Sequence, residues 1–219
     1  MEVPLEIPDV VPVPALAGSA EARDRVDTLN ERAWELRMLD APSSARVAEE
    51  ALALAQAEGY AAGVALALRT LGNHDYLSHA DYDGATARFH RALALLEEAG
   101  DERSRGDVLN GIGNVHWRRG EYPEAMRMHL QALELQRAQG DRAGEGHSLN
   151  ALGNVSYHLG DYAQALDYYQ ASLKLREEIG DHLGVAYCLN NVGNIHGQMG
   201  ESRRALEYML QALSIKEGA

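Results

Sequence analysis

The chain has 219 residues, and its 33 acidic against 20 basic side chains give a formal net charge of −13, which argues against a nucleic-acid footprint and an anionic membrane partner. Hydrophobic residues make up 46% but include a single Phe, a balance that leans towards helices packed through small side chains. No apolar run approaches the roughly 20 residues that span a bilayer, no signal peptide is apparent, and the lone Cys188 fits a reducing compartment, so the expected setting is the cytoplasm.

Residues 1–20 differ from the rest. Pro4, Pro8, Pro12 and Pro14 alternate with Val3, Leu5, Ile7, Val10, Val11 and Val13. Four prolines in that space forbid a helix and favour an extended leader, either a flexible tail or an apolar strap that docks on a neighbour.

From Glu21 the pattern turns helical. Val26, Leu29, Ala33 and Leu36 recur at helical spacing, and a second helix runs from about Ser43 to Glu58, closed by Gly59. Residues 21–59 thus form a degenerate first helix pair. Four regular units follow over residues 60–99, 100–139, 140–179 and 180–219. Their register is set by Asn110-Gly111-Ile112-Gly113-Asn114, Asn150-Ala151-Leu152-Gly153-Asn154 and Asn190-Asn191-Val192-Gly193-Asn194, with a looser copy at Arg69-Thr70-Leu71-Gly72-Asn73. A fixed period of about forty residues means stacked units that share one continuous core.

Each regular unit has a first helix bearing this signature, a tight turn such as Gly160-Asp161-Tyr162, and a second helix with small and bulky core positions, such as Ala165 and Tyr169. Gly153 and Ala165 are expected where the paired helices cross, since a larger group there would push the axes apart. Gly100-Asp101, Gly140-Asp141 and Gly180-Asp181 read as a left-handed helix stop followed by an N-cap. The first regular unit has one extra residue, expected in its turn near His79.

Leu149-Asn150-Ala151-Leu152-Gly153-Asn154, Gly160-Asp161-Tyr162, Ala165-Leu166 and Tyr168-Tyr169 closely resemble the tetratricopeptide repeat signature. The forty-residue period is similar to the longer subtype found in Leu-Gly-Asn (Pins-type) scaffolds, kinesin light chains and bacterial signalling proteins. The resemblance implies an all-α, right-handed superhelical solenoid of about five antiparallel helix pairs. Gly197 and Ser202 depart from the pattern and suggest a looser final unit.

In solenoids of this kind one face of each first helix lines a concave groove. With Leu149, Leu152 and Gly153 inward, Asn150 and Asn154 share another face. Stacking then aligns Arg69/Asn73, Asn110/Asn114, Asn150/Asn154 and Asn190/Asn194 into a double ladder. Asn carries both donor and acceptor, so the ladder can grip the backbone of an extended peptide or bond one repeat to the next. Tyr76, Trp117, Tyr157 and His158 lie one turn on, with His147 and Tyr187 just before, as apolar contacts for a partner.

No His-Glu-x-x-His, Cys-x-x-Cys, phosphate loop or nucleophile elbow occurs, so neither metal, cofactor nor catalysis is expected. His116 and His196, at equivalent positions, read as half-buried packing residues. The expected partner is a protein or extended peptide. Alternatives are a sensory module of a larger signalling protein, motivated by the abrupt stop after a second helix, and self-association through residues 1–20 or the exposed C-terminal repeat face.

Overall fold

The computed structural model describes residues 20–218. The Pro-rich leader lies outside the described residues, apart from Ala20, which opens the first helix. Ten α-helices follow: α1 (Ala20–Leu36), α2 (Ala41–Ala57), α3 (Ala61–His74), α4 (Tyr82–Ala99), α5 (Glu102–Arg119), α6 (Tyr122–Gln139), α7 (Arg142–His158), α8 (Tyr162–Glu178), α9 (His182–Gln198) and α10 (Ser202–Gly218). No helix among them is long and apolar enough to cross a membrane.

Consecutive helices pack as antiparallel pairs, and each pair stacks on the next. In addition α1 touches α3, α3 touches α5, and α5 touches α7. The odd-numbered helices therefore form the closer-spaced, inner layer, with the even-numbered helices outside. The result is an all-α helical-repeat solenoid.

Helix ends follow directly from local sequence. Gly140 and Gly180 adopt φ of 66° and 72°, and a Cβ on either would meet nothing within 4 Å. They are glycine for backbone conformation, not for space. Asp141 and Asp181 then accept from the Gly144 and Gly184 amides at 3.1 and 2.8 Å, capping α7 and α9. Where the turn residue is Glu instead of Asp, its longer carboxylate reaches back to the preceding helix. Glu121 pairs with His116 at 2.5 Å, and Glu201 with His196 at 2.8 Å, which is the role those two histidines hold.

The extra residue of the first regular unit is not absorbed by its turn. It widens the end of α3 into a π-helical segment, Asp75–His79, which ends in the left-handed Ala80. An inserted residue that stays helical must open one turn to i→i+5 bonding.

Each regular unit closes on one contact. Phe89, His129, Tyr169 and Met209 stand forty residues apart on the second helices, and each lies against the signature glycine of its own first helix. A Cβ on Gly72 would lie 2.9 Å from Phe89, on Gly113 2.6 Å from His129, on Gly153 2.5 Å from Tyr169, and on Gly193 3.2 Å from Met209. Gly153 thus makes room for the Tyr169 ring, and Ala165 is fully buried beside it.

His129 differs from its counterparts because it is polar and buried. Its Nδ1 lies 2.8 Å from Asn110 Oδ1, and Asn110 Nδ2 donates to Ser148 Oγ at 2.7 Å. Since Asn110 offers its oxygen, the imidazole donates from Nδ1. Gln136 completes the chain. With its amide turned to satisfy both ends, its nitrogen donates to the Gly144 carbonyl at 3.0 Å and its oxygen accepts from Asn110 Nδ2 at 3.1 Å. A buried polar chain, His129–Asn110–Ser148–Gln136, therefore joins the third pair to the fourth.

In the last unit Gly197 has only Ala205 Cβ, at 3.9 Å, within reach of an added Cβ. Leu206, Met209, Leu210 and Leu213 are exposed on α10. The positions equivalent to Met209 in the other units are buried.

Gly153→Ala should destabilise the fold by about 1–3 kcal/mol through overpacking against Tyr169, read as a lower urea midpoint with little change in slope. Burial pushes the His129 imidazole down to about 3 from an ordinary value near 6.5. Below pH 6.5 the unfolded chain therefore binds a proton that the folded chain refuses. Its contribution is complete above that pH and is lost as pH falls towards 3, by about 2 kcal/mol at pH 5. Unfolding midpoints at pH 7 and pH 5 check this, with His129→Phe flattening the difference.

Candidate functional site

The two rungs of the asparagine ladder separate in the structure. The first rung faces the next unit. Asn30 Nδ2 donates to the Gly63 carbonyl at 3.0 Å, Arg69 pairs with Asp107 at 2.6 Å, and Asn110 bonds Ser148. Asn150 Oδ1 accepts from Asn191 Nδ2 at 3.0 Å, which gives Asn191 its place, and the buried Cys188 thiol lies beside it at 3.8 Å. Each of these side chains reaches from one inner helix to the next. Asn110 is buried with both ends of its amide engaged, so none of it is open to a ligand. Asn190, at the same position in the last unit, is half-buried and forms no hydrogen bond among the described residues.

The second rung lies one turn on and is more open. Asn114 is half-buried and Asn194 exposed, and neither amide bonds another described group. Asn154 accepts the Tyr169 hydroxyl at 2.7 Å with its oxygen, which leaves its nitrogen free. Asn73 instead donates to the Arg69 carbonyl of its own helix at 3.0 Å.

In the first pair this rung is occupied by Trp34. The Arg37 and Arg69 guanidinium carbons stand 3.9 and 3.8 Å from its ring centroid, an arrangement in which an aromatic face attracts each cation. Asp107 is the carboxylate paired with Arg69 here. Burial lowers the pKa of Arg69 and raises that of Asp107, and their mutual attraction opposes both shifts. Arg37 is lowered by burial and raised by Asp107. Arg37 of the first pair thus stands near enough to Asp107 of the third for each to shift the other's pKa. His147 is exposed on α7.

The aromatic residues gather at the hairpin ends. Trp117 and Tyr157 meet His158 edge-on at 5.3 and 5.5 Å, and Tyr122 stacks on His158 at 5.4 Å. Tyr157 also leans on Tyr162 at 5.6 Å. Tyr76 is packed against the first core cluster, and burial raises its pKa. Tyr187 is exposed, with Lys216 4.8 Å from its ring centroid. The structure therefore groups Trp117, Tyr157 and His158 with one another. It leaves the whole amides of Asn114 and Asn194 and the amide nitrogen of Asn154 along the inner helices, with the Trp34 sandwich at their N-terminal end.

Trp34 and Arg37 escape sequence reasoning because the first pair lacks the Leu-Gly-Asn signature. Counting back from Asn73 by the forty-residue period falls next to Trp34 and was the available signal.

No curated protein sequence matches the chain. Solved structures share its fold. The BtubC (BKLC) protein of P. vanneervenii superposes with a TM-score of 0.68 at 20% identity, over 91% of this chain and 89% of that one. A STAND-class signal-transduction ATPase with a tetratricopeptide repeat sensor, from Pyrococcus horikoshii, gives 0.70 at 20% identity, over 89% of this chain but only 30% of that protein. Aspartyl phosphate phosphatase F of Bacillus subtilis gives 0.65 at 13%, over 88% and 60%. The tetratricopeptide repeat profile matches residues 80–138, 104–178 and 145–218, the greater part of the length. With the paired helices and the glycine-seated rings already seen, this places the chain in the tetratricopeptide repeat family.

Proposed function

We propose that the chain is a binding scaffold that holds an extended segment of a partner protein along its inner face. The observation that carries this reading is the uncommitted amide nitrogen or whole amide of Asn114, Asn154 and Asn194, repeated at forty-residue intervals. Amides left unbonded in register offer donors and acceptors to a peptide backbone without first breaking bonds of their own. Asn190 adds a fourth at the C-terminal end. Asn110 and Asn150 serve the scaffold by fixing the spacing of the inner helices.

The N-terminal end of the same face sets a preference for charge. Two guanidinium groups, Arg37 and Arg69, share one ring, and of the two only Arg69 forms an ion pair among the described residues, with Asp107. An acidic group on the partner balances the second cation. A chain of net charge −13 that keeps two arginines in its concavity is organised to receive an anionic segment there.

A random peptide library selected on the protein tests this. Selected peptides should be enriched in Asp or Glu. Their affinity should fall by about 1 kcal/mol, roughly fivefold, for each of Asn114→Ala and Asn194→Ala, with an unchanged melting temperature. Asn110→Ala should instead lower the melting temperature, because it strands the buried Nδ1–H of His129. Failure to enrich any peptide, or affinity indifferent to Asn114 and Asn194, would reject the groove.

Arg37→Ala should weaken acidic peptides selectively and flatten the dependence of their affinity on salt. An equal loss for neutral peptides would remove the charge preference and leave the amide ladder standing.

A further inference from the structure

The π-helical segment at the end of α3 brings together two side chains that a regular helix would separate. Residues five apart lie about 140° from each other around an α-helix. Opening the turn to i→i+5 bonding returns them to one side. His74 and His79 are so placed: their rings meet edge-on with centroids 4.8 Å apart, and their Nε2 atoms are 3.0 Å apart. His79 is exposed and His74 half-buried, so the pair is open to water.

Two imidazole nitrogens at that distance can share only one proton, or one metal ion. Metal–imidazole bonds are about 2.0–2.1 Å long, so two nitrogens meeting at a right angle on one ion lie about 2.9 Å apart, and in tetrahedral array about 3.3 Å apart. The 3.0 Å separation is close to both spans, and imidazole nitrogens with open positions beside them suit Cu2+ or Ni2+.

The far side of His74 is already tied. Ser78 Oγ stands 3.3 Å from its Nδ1, so Nδ1–H can donate to the hydroxyl while Nε2 offers its lone pair, the outer-shell bond usual for a ligating histidine.

The charges packed around the pair are Asp75, Arg88 and Arg37. Asp75 is held by Arg88 at 2.6 Å and is not a third ligand. Arg37 lines the small crevice that His74 and Ser78 share. Among the described residues no group of three or more His, Cys, Asp or Glu could hold a metal, so the site offers an ion two protein ligands. We infer that the π-helical insertion builds a two-histidine site for a divalent transition metal, Cu2+ or Ni2+, at the hairpin of the second pair.

The test is a titration of the full chain with Cu2+ and Ni2+, with Mg2+ for comparison. One Cu2+ should bind per chain, its EPR spectrum should show two imidazole nitrogens, and it should raise the melting temperature. His79→Ala and His74→Ala should each weaken binding at least tenfold and reduce the spectrum to one nitrogen. His90→Ala and His182→Ala, at exposed positions elsewhere, should leave both unchanged. His79 is exposed, so its replacement should not alter the metal-free melting temperature. Affinity or spectrum unaffected by His79→Ala, or binding lost equally in His90→Ala, would overturn the site.

Discussion

A bulky side chain from each second helix rests on the backbone of the first, at a glycine that offers no Cβ to hold it off. Phe89, His129, Tyr169 and Met209 do this in turn. The depth at which each is seated sets how closely the paired helices approach. That approach fixes the offset between pairs, and the offset brings one inner helix within hydrogen-bonding reach of the next. The shape of the inner face is therefore a consequence of packing on its far side.

The two rungs beside that glycine show how one short motif can serve two purposes. Asn110 and Asn150 point along the solenoid axis and are consumed in joining units. Asn114, Asn154 and Asn194 point one turn further and keep donor capacity. The division is economical, because the bonds that set rung spacing are made by the neighbours of the residues that use it. Trp34, standing at the second rung of the first pair, replaces an amide with a ring and gathers two arginines about it. The inner face is in this way polar along most of its length and cationic at one end.

Much of this was legible in the chain itself. The forty-residue period, the Gly-Asp helix boundaries and the all-α class follow from pattern and propensity, which are local. The site was legible only in part. Periodicity places Asn110 and Asn114 on one helix face, but the partner that buries Asn110 comes from Ser148 and His129, on two other helices. Helix periodicity sets Trp117 and Tyr157 one turn beyond the ladder, but it does not show that both rings meet His158 at the hairpin ends. An insertion of one residue was visible near His79. Its absorption into a π-helical segment was not, since either a longer turn or a wider helix accommodates it.

The polar chain from His129 to Gln136 has a wider effect on the array. The largest apolar cluster runs without a break from Val26 in the first pair to Ala132 in the third. Beyond it the core divides into smaller clusters, beginning with Leu133, Leu149, Leu152 and Leu175. The seam between them is where hydrogen bonds take over from hydrocarbon. Hydrogen bonds demand direction and a full set of partners, while apolar contact tolerates small slips. The register between the third and fourth pairs is consequently set by the direction of a few bonds and not by apolar fit alone.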